Sequence, residues 1–141
     1  MIKQFRIDFP NGMPKGTAQQ KRYNSQTGVY FKDKKLINLE RTFTLALRPH
    51  RPKDPIECPV KLTVWFGFEI KQKARWGEYK PTRPDCDNYI KEFKDVMTKE
   101  GFWIDDSQVA DERNIKTYSE NAFIWVRIEE LNDRKFGGIE R

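Results

Sequence analysis

Residues 83–109 read RPDCDNYIKEFKDVMTKEGFWIDDSQV, and the fold turns on how this stretch is read. Tyr89, Ile90, Phe93, Val96 and Met97 recur at spacings of three and four, the apolar stripe of a helix packed on a core. Pro84 can open such a helix and Gly101 can close it. Two carboxylates, Asp85 and Asp87, stand at its mouth. A second pair, Asp105 and Asp106, follows the Phe-Trp-Ile run behind it. With the helix beginning near Cys86, Asp87 and Lys91 share a face that borders the core without entering it. Asp85 then falls at the N-cap or just outside, free to turn toward Asp87.

A helix of about 15 residues is roughly 22 Å long. The extended run from Gly101 to Asp106 can reach back roughly 17 Å, so Asp106 is expected nearly to regain the helix start. Three carboxylates converging beside Lys91 would suit a hard divalent cation, because Mg²⁺ takes oxygen ligands and keeps several waters. The same residues also have a plainer reading. Acids complement the dipole of a helix N-terminus, Asp is a favoured N-cap, Asp87 and Lys91 form an i,i+4 ion pair, and Asp-Asp-Ser makes a turn.

The stretch resembles the signature of the RusA family of Holliday-junction resolvases. That signature is Asp-x-Asp-Asn, a Lys four residues after the second Asp, a helix ending in Gly-Phe/Leu, then Asp-Asp-x-Gln-Val. Asp85, Asp87, Asn88, Lys91, Gly101, Phe102, Asp105, Asp106, Gln108 and Val109 match it. The resemblance implies that Asp85, Asp87 and Asp106 bind the metal and that Lys91 is the essential lysine. It implies a structure-selective DNA endonuclease that cuts four-way junctions by paired symmetric incision with Mg²⁺, or Mn²⁺ in its place, acting as a homodimer. Carriage by phages or prophages, and so a bacterial host cytoplasm, is implied too.

Composition supports a polyanion-binding protein. The 141 residues suit one domain, here 1–131 with a frayed tail over 132–141. From Asp85 to Glu112 nine acids face three lysines, a net of −6, while the remainder carries 24 bases and 12 acids, a net of +12. A basic body with one acidic island can hold DNA against bound metal. The single histidine, His50, reads as a loop residue, which excludes a zincin or a Ser-His-Asp arrangement. There is no Gly-rich phosphate loop, so no small-molecule cofactor is expected. No apolar run reaches membrane length and no signal peptide is legible. Cys58 and Cys86 are expected as free thiols, Cys86 pointing toward the core.

The rest of the chain follows in order. Residues 2–9 alternate as a strand with Phe5, Ile7 and Phe9 inward. The turn-rich stretch after it carries Lys15, Lys21 and Arg22 among Tyr23 and Tyr30. It can track a DNA backbone, or form a solvated loop with a hairpin at Gly28. Asp33 to Arg48 reads as a helix capped by Asp33 and stopped before Pro49, with Leu36, Ile37, Phe43 and Leu47 apolar. Val60 to Ile70 is a central strand with Trp65 on its outer side. Lys71 to Arg83 has no periodicity and carries Lys71, Lys73, Arg75, Lys80 and Arg83, so it is expected to contact DNA. Val109 to Tyr118 reads as a charged edge strand. Phe123 to Leu131 alternates again, with Trp125 outward. The fold expected is α/β (α+β), a mixed sheet of about four main strands with two helices on one face.

Two alternatives accompany this reading. One is a nuclease for other branched DNA such as forks or flaps. The other is a non-catalytic DNA-binding module of the same fold, against which intact Asp85, Asp87, Lys91 and Asp106 speak.

Overall fold

The structure, a computed structural model, describes residues 1–16, 21–132 and 135–137. Most of the tail expected to fray therefore lies outside the described residues. A four-stranded sheet runs in the order β1 (Ile2–Phe9), β6 (Ala122–Glu130), β4 (Val60–Glu69), β5 (Val109–Ser119). β1 and β4 are antiparallel to β6, and β4 and β5 are parallel. A parallel pair needs a long crossover, and α2 (Cys86–Lys99) supplies it. A small antiparallel hairpin, β2 (Lys21–Asn24) and β3 (Val29–Lys32), precedes α1 (Lys34–Leu47).

Local chemistry accounts for the element ends. The Asp33 carboxylate accepts a hydrogen bond from the Lys35 backbone and caps α1. α2 ends on a left-handed Gly101, φ +81°. Gly101 N–H donates to the Thr98 carbonyl and Phe102 N–H to the Met97 carbonyl, the paired bonds of a Schellman turn. The chain does not then run back along the helix. Phe102 and Trp103 are buried, Trp103 bridges to Ile56, and its indole donates to Thr98 Oγ1 at 2.8 Å.

Both helices lie on one face of the sheet. Val60, Leu62, Val64 and Phe66 of β4 and Ile124, Val126 and Ile128 of β6 are buried beneath them. Phe43 of α1 meets Tyr89 and Phe93 of α2 edge-to-face, at 5.7 and 5.1 Å. Ile37, expected inward, is exposed because Leu36 and Leu39 supply the inner face of α1 at that level. The other sheet face carries no helix. There Trp65 donates to Thr117, and Phe123 packs edge-on to Trp65 beneath the Arg6 guanidinium. His50 lies in a 3₁₀ turn, stacked on Phe5. Both cysteines are free, as expected. Cys58 packs against the core, but Cys86 stays half-buried outside it, because it occupies the first position of α2 rather than the stripe.

One buried charge had no signal in the sequence. Glu92 is 3% exposed, between α1 and α2. Burial first, then its hydrogen bond to Glu40, pushes its carboxyl up to about 7, while Glu40 pairs with Lys32. Protonated Glu92 can donate to Glu40, and a glutamine there can do the same. A pKa raised on folding adds stability in full below the unfolded value near 4.5, and that stability is lost as pH rises toward 7. Glu92→Gln should therefore raise the melting temperature at pH 8, by a stability gain on the order of 1–3 kcal/mol, and leave it nearly unchanged at pH 4. Equal effects at both pH values in thermal melts would contradict a proton shared at this position.

Candidate active site

The parallel β4–β5 pair and its crossover helix place α2's N-terminus at the carboxyl ends of both strands, where α/β folds commonly bind ligands. Lys116 of β5 anchors that end. Its ammonium donates to the carbonyls of Thr82 and Pro84, at 2.6 and 2.7 Å. Asp85 follows, in the N-cap position with extended backbone, yet its carboxylate makes no capping hydrogen bond. Asp87 lies in the first turn of α2 and is exposed, as are Asp85 and Lys91. Neither the Asp85 nor the Asp87 carboxylate has a hydrogen-bond or salt-bridge partner among the described residues, and the Lys91 ammonium has none either. The plainer reading of these acids, a cap and an i,i+4 pair, is therefore not realised. Two carboxylates and a lysine stand unengaged at the edge of a basic protein.

The second acidic pair divides. Asp105 caps the short 3₁₀ turn 106–108, accepting from Ser107 N–H at 2.9 Å, which holds its carboxyl below the usual range. Gln108 clamps the same turn, accepting from the backbones of Ile104 and Asp105 and donating to the carbonyls of Ile56 and Cys58. Asp106 is exposed, and among the described residues its carboxyl meets only the neighbouring Asp105. Asp105 and Gln108 thus build the turn, and Asp106 is left exposed at the surface beside it.

Within one chain Asp106 does not regain the helix start. Among the described residues no three His, Cys, Asp or Glu side chains gather closely enough to hold a metal ion. The physical reason is Trp103. Its burial beside Ile56 holds the chain at the C-terminal end of α2, so the return journey is made by β5 and not by residues 101–106. Asp106 sits just before β5, while Lys116, which touches Pro84, lies seven strand residues beyond Val109. At about 3.3 Å per residue, Asp106 stands roughly 20 Å from Asp85 and Asp87, at opposite ends of one edge.

Three of the basic residues, Lys15, Lys80 and Arg83, lie beside Asp85. Lys71 is exposed, and Lys73 and Arg75 form a 3₁₀ turn, Arg75 pairing with Glu78 at 3.0 Å. The segment is ordered against β5: Lys80 N–H donates to the Lys116 carbonyl and Tyr118 N–H to the Glu78 carbonyl. Lys80 and Arg83 line a cleft of about 540 Å³ with Asp85, and Lys15 reaches it from the loop after β1. Lys21 and Arg22 begin β2, and their side chains lie outside the described residues. Glu69, Asn88 and Tyr118 share the cleft. Asn88 belongs to the motif, but only the β4–β5 register brings Glu69 and Tyr118 to it.

Similarity to known proteins agrees with this architecture. The family model described as Endodeoxyribonuclease RusA matches residues 11–129. A crossover junction endodeoxyribonuclease rusA of Lactococcus phage r1t is 33% identical over 135 residues, covering 94% of this chain and 92% of the phage protein. An uncharacterised protein, YqaN of Bacillus subtilis strain 168, is 35% identical over 99 residues, covering 62% and 69%. The family model spans both acid pairs, Lys91, and the whole sheet except β1 and the last residue of β6, and the chain belongs to the RusA family of endodeoxyribonucleases.

Proposed function

We propose that this protein resolves four-way DNA junctions by paired incision, using a divalent cation, Mg²⁺ or Mn²⁺, held at Asp85 and Asp87. The observation that carries the reading is the pair of unengaged carboxylates beside Lys91, in a chain of this family. Two hard oxygen donors fit a cation that keeps several waters, but they leave the set short of its third carboxylate. A second copy removes the shortfall. If two chains meet along the β5–α2 edge about a two-fold axis, the Asp106 end of each faces the Asp85 end of the other. The metal would then be held by Asp85, Asp87 and Asp106 of the partner subunit. The open sheet face with Trp65 and Trp125 cannot make that juxtaposition, which favours the edge as the dimer contact.

A bound cation supplies Lewis acidity at the scissile phosphate. Lys91, one turn along α2 from Asp87, contributes positive charge where the leaving oxygen becomes anionic. Lys15, Lys80 and Arg83 hold flanking phosphates and fix the strand against the acids. The two-fold arrangement yields two sites about 20 Å apart by the strand geometry above, as paired cutting of a symmetric substrate requires.

Synthetic four-way, forked and linear duplexes, incubated with and without Mg²⁺, test the proposal. Paired incision of the four-way substrate alone, and only with the cation, is the expected result. Cleavage without divalent ions, or equal cleavage of linear duplex, would overturn it.

A further inference from the structure

The cleft beside Asp85 has features that phosphate binding does not explain. Phe68 and Tyr118 are directly paired across β4 and β5 and both are half-buried. Their rings face the Lys80 ammonium, which lies 5.3 and 5.4 Å from the two centroids, and the Arg75 guanidinium lies 4.7 Å from the Tyr118 centroid, so the pair is an aromatic shelf held by cations alone. Behind it, Tyr89 is buried and donates its hydroxyl to the Pro14 carbonyl, which makes the back wall rigid. Two polar groups look into the space. Glu69 keeps one carboxylate oxygen occupied by Met13 N–H at 3.2 Å, and the other has no hydrogen bond among the described residues. The Asn88 amide has no hydrogen-bond partner among the described residues either. The rim carries Lys15, Lys80 and Arg83, and none of the three is ion-paired among the described residues. A phosphate needs only the rim. A cleft of about 540 Å³, with an aromatic shelf and two hydrogen-bonding groups at its side, is the size of a small-molecule site.

The geometry points to a pocket for one unstacked nucleobase of the substrate, next to the scissile phosphate. The base would displace Lys80 from the aromatic shelf, stack on Phe68 and Tyr118, and donate its exocyclic amino group to Glu69. Asp85 lines the same cleft, so a base seated there leaves its own backbone beside the acids. Aromatic shelves of this kind hold bases by their π-faces without reading sequence. A carboxylate acceptor adds a reading, because it accepts from the exocyclic amino groups of adenine, cytosine and guanine, whereas thymine has no amino group and offers only its ring N3–H. Junction branch points are where a base is most cheaply unstacked. This inference rests on the proposed branched-DNA substrate and adds to it a preference for the nucleotide at the cut.

The test uses four-way junctions carrying 2-aminopurine at successive positions around the branch, bound by the full-length protein without divalent metal. One position flanking the cut should brighten several-fold. Tyr118→Leu, which keeps an apolar side chain on the strand, should lower that brightening. In cleavage reactions, thymine at the same position should slow cutting by about tenfold, and Glu69→Gln, which still accepts from Met13 N–H, should reduce the penalty below about threefold. Saturated binding with no brightening at any position would overturn the inference, as would brightening and thymine penalty unchanged in both variants. The fluorescence readout needs binding and no cutting. A protein that binds and brightens but cuts nothing would therefore refute the proposed function and leave the base pocket standing.

Discussion

Asp87→Asn protein should bind four-way junctions as tightly as wild type and cut them about a thousandfold more slowly. Loss of one of few carboxylate donors removes several kcal/mol of metal-dependent stabilisation, and each 1.4 kcal/mol is about tenfold in rate. The fold should scarcely respond. Asp87 is exposed and has no hydrogen-bond or salt-bridge partner among the described residues, so only its interaction with the helix dipole is lost, about 0.3–1 kcal/mol. Single-turnover cleavage in excess Mg²⁺, read beside a binding isotherm and a thermal melt, separates these effects. Cutting at the wild-type rate would remove Asp87 from the site.

The largest effect on stability should come from Gly67→Ala, far from the acids. A Cβ at Gly67 would stand 2.1 to 2.7 Å from three atoms of the Phe123 ring. That ring cannot swing away freely, because Trp65 abuts it edge-on at 4.9 Å and Arg6 lies over it at 4.1 Å. Either the ring leaves its place or β4 and β6 separate at the centre of the sheet. Overpacking of this kind costs about 3 kcal/mol, a fall in melting temperature of roughly 10 °C for a domain of this size. A melting temperature within two or so degrees of wild type would mean that Phe123 rotates outward at little cost.

Much of this arrangement was legible in the residues. The three-and-four spacing from Tyr89 to Met97 marked the inner face of α2, and period-two alternation marked β1, β4 and β6. Asp33 announced the start of α1 by its position before an apolar repeat. The acids themselves were found by motif. Their spatial relation was not, because chain length allows residues 101–106 to climb the helix and only the burial of Trp103 against Ile56 forbids it. That contact joins segments far apart in sequence, which spacing rules cannot see. Glu92 escaped for a similar reason: it flanks the apolar stripe, and only the approach of α1 with Glu40 takes it out of water. Glu69 and Tyr118 reach the cleft through parallel strand register, again a long-range fact.

The central claim is that a working site combines Asp85 and Asp87 of one chain with Asp106 of the other. Mixing Asp87→Asn with Asp106→Asn protein tests it most directly, because each variant alone lacks a ligand at both sites. In a mixed dimer built across the two-fold axis, one site carries both substitutions and the other carries none. The account predicts that the mixture, after subunit exchange, regains single-strand nicking of four-way junctions. It should also bind one Mn²⁺ per mixed dimer at wild-type affinity by calorimetry. A mixture as inactive as either parent, with no recovered Mn²⁺ site although exchange is verified, would place all three acids within one chain's reach and contradict the account.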